Sequence, residues 1–220
     1  MPARLIPLGD AALLLRVGDS LGKVLAAVRK LEAARLRGVV EIAPAFASVA
    51  VFFGSPAALE EGAAALETAL RRRTPRENFP KPRLLEVPVC YDTEFGLDLE
   101  AVAEQTRLSP NEIALRHVAA RYEVRCVGFT PGFPYLGGLP RALVTPRKAT
   151  PRTRVPPGSV AIGGRQTGIY PLASPGGWNV IGRTPLRLFD STRAPAALLR
   201  AGDRVRFVAI DRATFARWEN

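Results

Sequence analysis

The chain is short of the residues on which most site chemistry rests: its 220 positions hold one histidine, two cysteines and one methionine. A lone histidine and two distant cysteines supply no zinc tetrahedron, so no metal site is expected. A Ser-His-Asp triad has one formal route, through His117, with no sequence context to support it. Cys90 and Cys126 sit in segments that read as strands; they exclude a disulfide framework and read as buried reduced thiols. There is no GxxxxGK[ST] phosphate loop, and Gly163-Gly164-Arg165-Gln166-Thr167-Gly168 lacks the lysine that would reach a nucleotide's outer phosphates. No run approaches the roughly 18 apolar residues of a membrane helix, and the N-terminus MPARLIPLGDAALLL has no cleavage pattern, so the chain reads as cytoplasmic with no membrane partner.

What is abundant is positive charge: 31 Lys and Arg against 20 Asp and Glu, a net +11. Such a balance invites nucleic acid as a partner, but its distribution argues otherwise. Residues 1–78 carry eleven basic against eight acidic side chains, and residues 79–220 carry twenty against twelve. The window 124–189 has nine basic residues and no acidic one. That is a local anion-attracting surface, and no nucleic acid is expected.

Hydrophobic periodicity divides the chain. Residues 4–8, 12–17, 39–42 and 48–53 read as short strands. Ser20 opens a helix whose apolar positions Leu21, Val24, Leu25, Val28 and Leu31 lead to a stop at Gly38. Ser55-Pro56 opens a second helix that ends in Arg71-Arg72-Arg73, where positive charge suits the helix dipole. The proline-rich TPRENFPKPR of residues 74–83 reads as a linker. The expectation is an α+β fold: an N-terminal α+β domain at 1–78 and a second, strand-rich domain at 79–220, for which the resemblance given below implies a β-barrel. The second domain begins with a strand at 84–89 and two helices, the latter capped by Ser109-Pro110-Asn111-Glu112. This pair resembles a DNA-reading helix-turn-helix, yet Ile113, Ala114, His117 and Val118 equally well pack it on a sheet. Beyond Gly128, short strand-like runs at 159–163, 168–172, 178–181, 186–189 and 204–210 among glycines and prolines argue a barrel or sandwich.

Residues 128–177 hold ten of the 19 glycines and nine of the 20 prolines. Glycines let a backbone approach a ligand and present N–H groups. Arg147, Arg152 and Arg154 suit a carboxylate or phosphate through paired donors. Phe129, Phe133, Tyr135, Tyr170 and Trp178 are candidate walls, with the two phenylalanines read more readily as core.

The run GFTPGFPYLGGLP, followed by TPRKATPRTRVPPGSVAIGGRQTGIYPLASPGGWNVIGRTPLRLFD and AGDRVRFVAI, resembles the family of bacterial 5-oxoprolinase B subunits, which includes the kinase inhibitor KipI and the first subunit of allophanate hydrolase. The resemblance implies a cyclophilin-like C-terminal barrel. It also implies ATP-dependent opening of 5-oxo-L-proline, a small anionic substrate, to L-glutamate together with the A and C subunits of the 5-oxoprolinase. The implied cofactor is ATP, held by this chain or together with a partner subunit. The family's cleft positions fall here on His117, Pro131, Gly132, Arg154, Gln166, Tyr170, Ser174, Gly176, Gly177 and Trp178. On that basis His117, Arg154, Gln166 and Tyr170 are candidate catalytic residues. Pro131, Gly132, Arg147, Arg152, Ser174, Gly176, Gly177 and Trp178 are candidates for binding the anion. His117 reads equally as a proton-transfer group or as a packed helix histidine. The alternatives are a non-catalytic inhibitor of a histidine kinase and a component acting on a urea- or allophanate-type amide.

Overall fold

The computed structural model describes residues 4–72 and 82–218. The chain divides into two compact units, Met1–Lys81 and Pro82–Asn220. Most of the 74–83 linker therefore lies outside the described residues, as does Arg73 of the arginine triplet.

In the first unit, strands β1 (Arg4–Pro7), β2 (Ala12–Arg16), β3 (Val39–Pro44) and β4 (Ser48–Phe53) form an antiparallel sheet in the order β1-β2-β4-β3. Alternation decides which face is covered: Val49, Val51 and Phe53 of β4 are buried, and they join Leu13 and Leu15 beneath two helices. These helices are α1 (Leu21–Ala34) and α2 (Pro56–Arg71), which bury Val24, Val28, Leu31 and Leu66 on that face. Ser55 caps α2, its hydroxyl accepting from the Ala58 amide at 3.2 Å, with Pro56 in the first turn. The expected stop at Gly38 comes earlier. Arg35 adopts a left-handed conformation (φ 44°) and ends α1, and Gly38 serves the turn into β3 instead. Pro44, beyond the expected end of this strand at residue 42, closes β3 at the sheet edge, where its missing N–H costs no ladder bond.

In the second unit seven strands run in the order β12-β9-β10-β7-β6-β13-β5. They are β5 (Leu84–Val89), β6 (Tyr122–Val127), β7 (Pro134–Gly137), β9 (Ser159–Gly163), β10 (Gln166–Ile169), β12 (Asn179–Arg183) and β13 (Arg204–Ala209). The two ends meet. Cys90, just past β5, exchanges two 2.9 Å backbone hydrogen bonds with Arg183 of β12, so the sheet closes into a barrel. Inside it pack Val87, Val89, Val124, Leu136, Val160, Ile162, Ile169, Ile181, Val205 and Phe207. The helical pair α3 (Leu99–Thr106) and α4 (Pro110–Ala119) lends Leu99, Val102 and Ile113 to the same core. Ser109 and Glu112 cap α4 reciprocally, as their spacing predicts. The pair is thus a packed helical hairpin, and its apolar face is spent on the barrel. The α+β unit followed by a barrel is the expected fold class.

Some elements escaped the sequence. Residues 186–189 form no strand, only a single bridge between Phe189 and Ala197. Strands β8 (Arg152–Val155) and β11 (Ser174–Gly176) make a separate two-stranded ribbon, and a helix α5 (Arg212–Trp218) follows β13. The ribbon matters most, because it builds the site.

Candidate functional site

Strands β7, β9, β10 and β12 point alternate side chains outward as well as inward. Ala161 and Val180 face away from the barrel core and join Phe133, Val155, Tyr170 and Trp178 in a second cluster. Phe133 is its hub. The ring meets Tyr135 at 4.9 Å, Tyr170 at 5.1 Å, and Phe129 and Trp178 at 5.6 Å, all edge-to-face. This is the favoured arrangement of aromatic quadrupoles.

Glycines make room for these rings. A Cβ on Gly163 would fall 2.5 Å from the Trp178 ring, one on Gly168 2.8 Å from Phe133, and one on Gly176 2.3 Å from the Tyr170 hydroxyl. Part of the glycine pattern that suggested backbone offered to a ligand is instead backbone covered by aromatic faces.

A cavity of about 310 Å³ opens over this cluster. The rings of Phe129, Phe133, Tyr135, Tyr170 and Trp178 line it, together with Pro175, Gly176 and Gly177 and with the adjoining Arg147, Lys148 and Pro151. The Arg147 guanidinium lies 5.7 Å from the Trp178 ring centre, a cation–π distance. Phe129, read as core, is 62% exposed and stands at the mouth with φ 69°; the tight turn of residues 128–133 holds it there. Phe133 is buried, as expected.

Beside these cations is a buried carboxylate that no sequence pattern singled out. Asp98, at the N-terminus of α3, accepts from Lys148 Nζ at 2.6 Å and from Arg152 Nη1 at 2.5 Å and Nη2 at 2.9 Å. It also accepts from the Val180 amide at 2.8 Å. Burial disfavours its charge, but the donated hydrogen bonds outweigh burial and its pKa falls below the ordinary aspartate value.

Of the residues singled out by sequence, Arg147, Tyr170, Gly176, Gly177 and Trp178 line the cavity together. Arg152 sits beside it, committed to Asp98. Ser174 is buried with no hydrogen-bond partner for its hydroxyl. Gly132, at φ +82°, packs against Phe189, and with the exposed Pro131 it shapes the turn that carries Phe129. Gln166 pairs with Gly163 at the β9–β10 turn, and Arg154 is exposed on β8. None of these last five lines the cavity.

His117 lies elsewhere. It is fully buried on α4 against Tyr122 and Phe207. Its Nε2 lies 3.1 Å from the Thr167 hydroxyl, which itself donates to the Ala161 carbonyl, so Nε2 carries the proton and Nδ1 accepts from Tyr91 at 2.7 Å. Burial lowers its pKa to about 3, so it is neutral at physiological pH. Of the two readings of this residue, the packed helix histidine is the one this environment fits, its ring nitrogens bonded to two hydroxyls. The thiols are equally enclosed; burial raises Cys126 to about 11.

The cavity offers an aromatic lining, two cations and turn backbone, a set suited to a small anion with an apolar body. It does not fit a magnesium nucleotide by itself. Its lining holds no carboxylate, and no cluster of three metal-ligating side chains occurs among the described residues.

A family model described as the carboxyltransferase domain, subdomain C and D, matches residues 3–199. The chain is 41% identical over 218 residues to the 5-oxoprolinase B subunit of Bacillus subtilis, covering 92% of this chain and 91% of that one. It is 47% identical over 171 residues to the protein of the same name from Escherichia coli O157:H7, covering 77% and 78%. Among solved structures it resembles TTHA0988, with TM-score 0.79 and 37% identity over 91% of this chain and 40% of that one. The Kluyveromyces lactis urea amidolyase matches with TM-score 0.73 over 98% of this chain and 15% of that one, but at 20% identity that likeness is one of fold alone.

Proposed function

This chain belongs to the family of carboxyltransferase subdomains C and D and, within it, to the 5-oxoprolinase B subunits; from that membership we propose that it serves an ATP-dependent 5-oxoprolinase. In this reading it acts with the A and C subunits to open 5-oxo-L-proline to L-glutamate. The observation that carries the proposal is the alignment with a 5-oxoprolinase B subunit over nearly the whole of both chains. The second unit is read as the working domain. Neither a kinase-inhibitor role nor a urea- or allophanate-type substrate has an observation in its favour.

The cavity over Phe133 is the part of this chain assigned to substrate. Arg147 and Lys148 would hold the carboxylate, and the rings of Phe129, Tyr170 and Trp178 would take the methylene face of the lactam. The turn at Gly176-Gly177 would limit how the ring is oriented. Each of these contributions binds and positions, which is the larger part of what a protein supplies to a reaction of this kind. Arg154 and Gln166, outside the cavity, are left for contact with a partner chain. ATP supplies the energy for opening a stable amide. With no phosphate loop and no acidic metal ligand in the cavity, the nucleotide is assigned to the assembled enzyme and no step is routed through this chain. Proton transfer is likewise assigned elsewhere, because His117 is enclosed and neutral.

The test is reconstitution. The chain mixed with its A and C partners should form glutamate from 5-oxo-L-proline only when ATP is present, and the chain alone should form none. Turnover by the isolated chain, or none by the full assembly, would refute the assignment.

A further inference from the structure

Asp98 is the most heavily hydrogen-bonded carboxylate among the described residues of the second unit, and nothing about substrate binding requires it to touch a ligand. Four donors converge on it, from Lys148, Arg152 (twice) and the Val180 amide, while its own amide donates to the Val180 carbonyl at 2.8 Å. It is thereby fixed to β12, two residues beyond Trp178. From that anchor the bonds reach both segments that wall the cavity. Lys148 belongs to the irregular stretch between β7 and β8, and its amide donates to the Gly177 carbonyl at 2.7 Å. Arg152 opens β8, whose partner strand β11 carries Pro175 and Gly176. Arg147, the cation over Trp178, is the residue next to Lys148.

We propose that Asp98 is a positioning residue: a buried carboxylate that clamps the 147–152 segment and the β8–β11 ribbon to the barrel wall, and so sets where Arg147 stands over Trp178. The charge arithmetic fits a clamp. Two cations meet one carboxylate, so the cluster keeps a net positive charge beside the cavity. The burial of Asp98 (4% exposed) against the partial exposure of Lys148 and Arg152 side chains (28% and 27%) makes the acid the fixed point and the cations the parts it holds. The inference rests on the substrate assignment of this cavity only in its kinetic part.

The experiment uses the full chain carrying Trp218→Phe, so that Trp178 is the only indole, with Asp98→Asn added. Acrylamide quenching reports access to Trp178, and 5-oxo-L-proline kinetics of the reconstituted enzyme report binding. The clamp predicts quenching raised at least threefold, and KM raised about tenfold with kcat within twofold of the parent. Lys148→Met leaves Asp98 paired with Arg152 and keeps the test alive if Asp98→Asn does not fold; its quenching should rise in the same direction by a smaller factor. Unchanged quenching in a folded Asp98→Asn or Lys148→Met chain overturns the clamp. Raised quenching with unchanged KM supports the clamp and, with an equally silent Arg147→Ala, refutes the substrate assignment instead.

Discussion

At the scale of single residues, His117 shows how a chemically suggestive side chain is put to structural use. Folded, it binds a proton only below about pH 3; unfolded, it does so below its ordinary 6.5. Because the unfolded chain holds the extra proton between these values, the stabilisation is complete above pH 6.5 and is lost as pH falls towards 3, by at most about 1.4 kcal/mol per pH unit. Denaturant titrations between pH 4.5 and 6.5 should show that slope, and His117→Gln should flatten it while lowering stability at pH 7 by about 1–3 kcal/mol, from the lost bonds to Tyr91 and Thr167. Asp98 does not confuse the window. Its depressed pKa means that its stabilisation is present above the ordinary 3.8 and fades only below it. For the same reason the pH profile of turnover should carry no inflection belonging to His117 near 6.5.

At the scale of elements, the three glycines under three aromatic rings are the most exposed to error. Gly163→Ala should force Trp178 off β9, because its Cβ would lie 2.5 Å from the indole. A cost of about 1–3 kcal/mol is expected from overpacking, and near-ultraviolet circular dichroism should register the displaced indole. Ser109→Ala, far from the cavity, should cost about 1 kcal/mol through the lost cap of α4, leave the near-ultraviolet spectrum alone and lower only the thermal midpoint.

These elements also show what was legible in advance. Both serine-proline caps, the helices they open and the strands of the first unit carry their signals within a few neighbouring residues, so periodicity and capping chemistry suffice to find them. The ribbon strands are four and three residues long, β8 between Pro151 and Pro156 and β11 with Pro175 at its middle, too short for any period to emerge. The site was half legible. Arg147, Tyr170, Gly176, Gly177 and Trp178 fall within one stretch of the motif. Asp98 does not, because its bonds cross 50, 54 and 82 positions of sequence. Counting charge by window therefore overstated the free positive charge of 124–189. Lys148 and Arg152 are engaged by Asp98, and Arg187 faces Asp190 at 3.4 Å, just past the window's end.

At the scale of the molecule, the barrel is a closed scaffold that carries its cavity on the outside, between its wall and a short ribbon. Phe129 stands exposed among the residues that line that cavity. Two cations and an aromatic lining, as proposed for this cavity, would hold an anion and would not by themselves open an amide, which is why the remaining chemistry is assigned to the assembled enzyme. The measurement that bears most directly on this account is the steady-state kinetics of reconstituted enzyme containing Arg147→Ala. A KM for 5-oxo-L-proline raised about tenfold, worth about 1.4 kcal/mol of binding, is the predicted result; wild-type KM from a folded, assembled variant would contradict it.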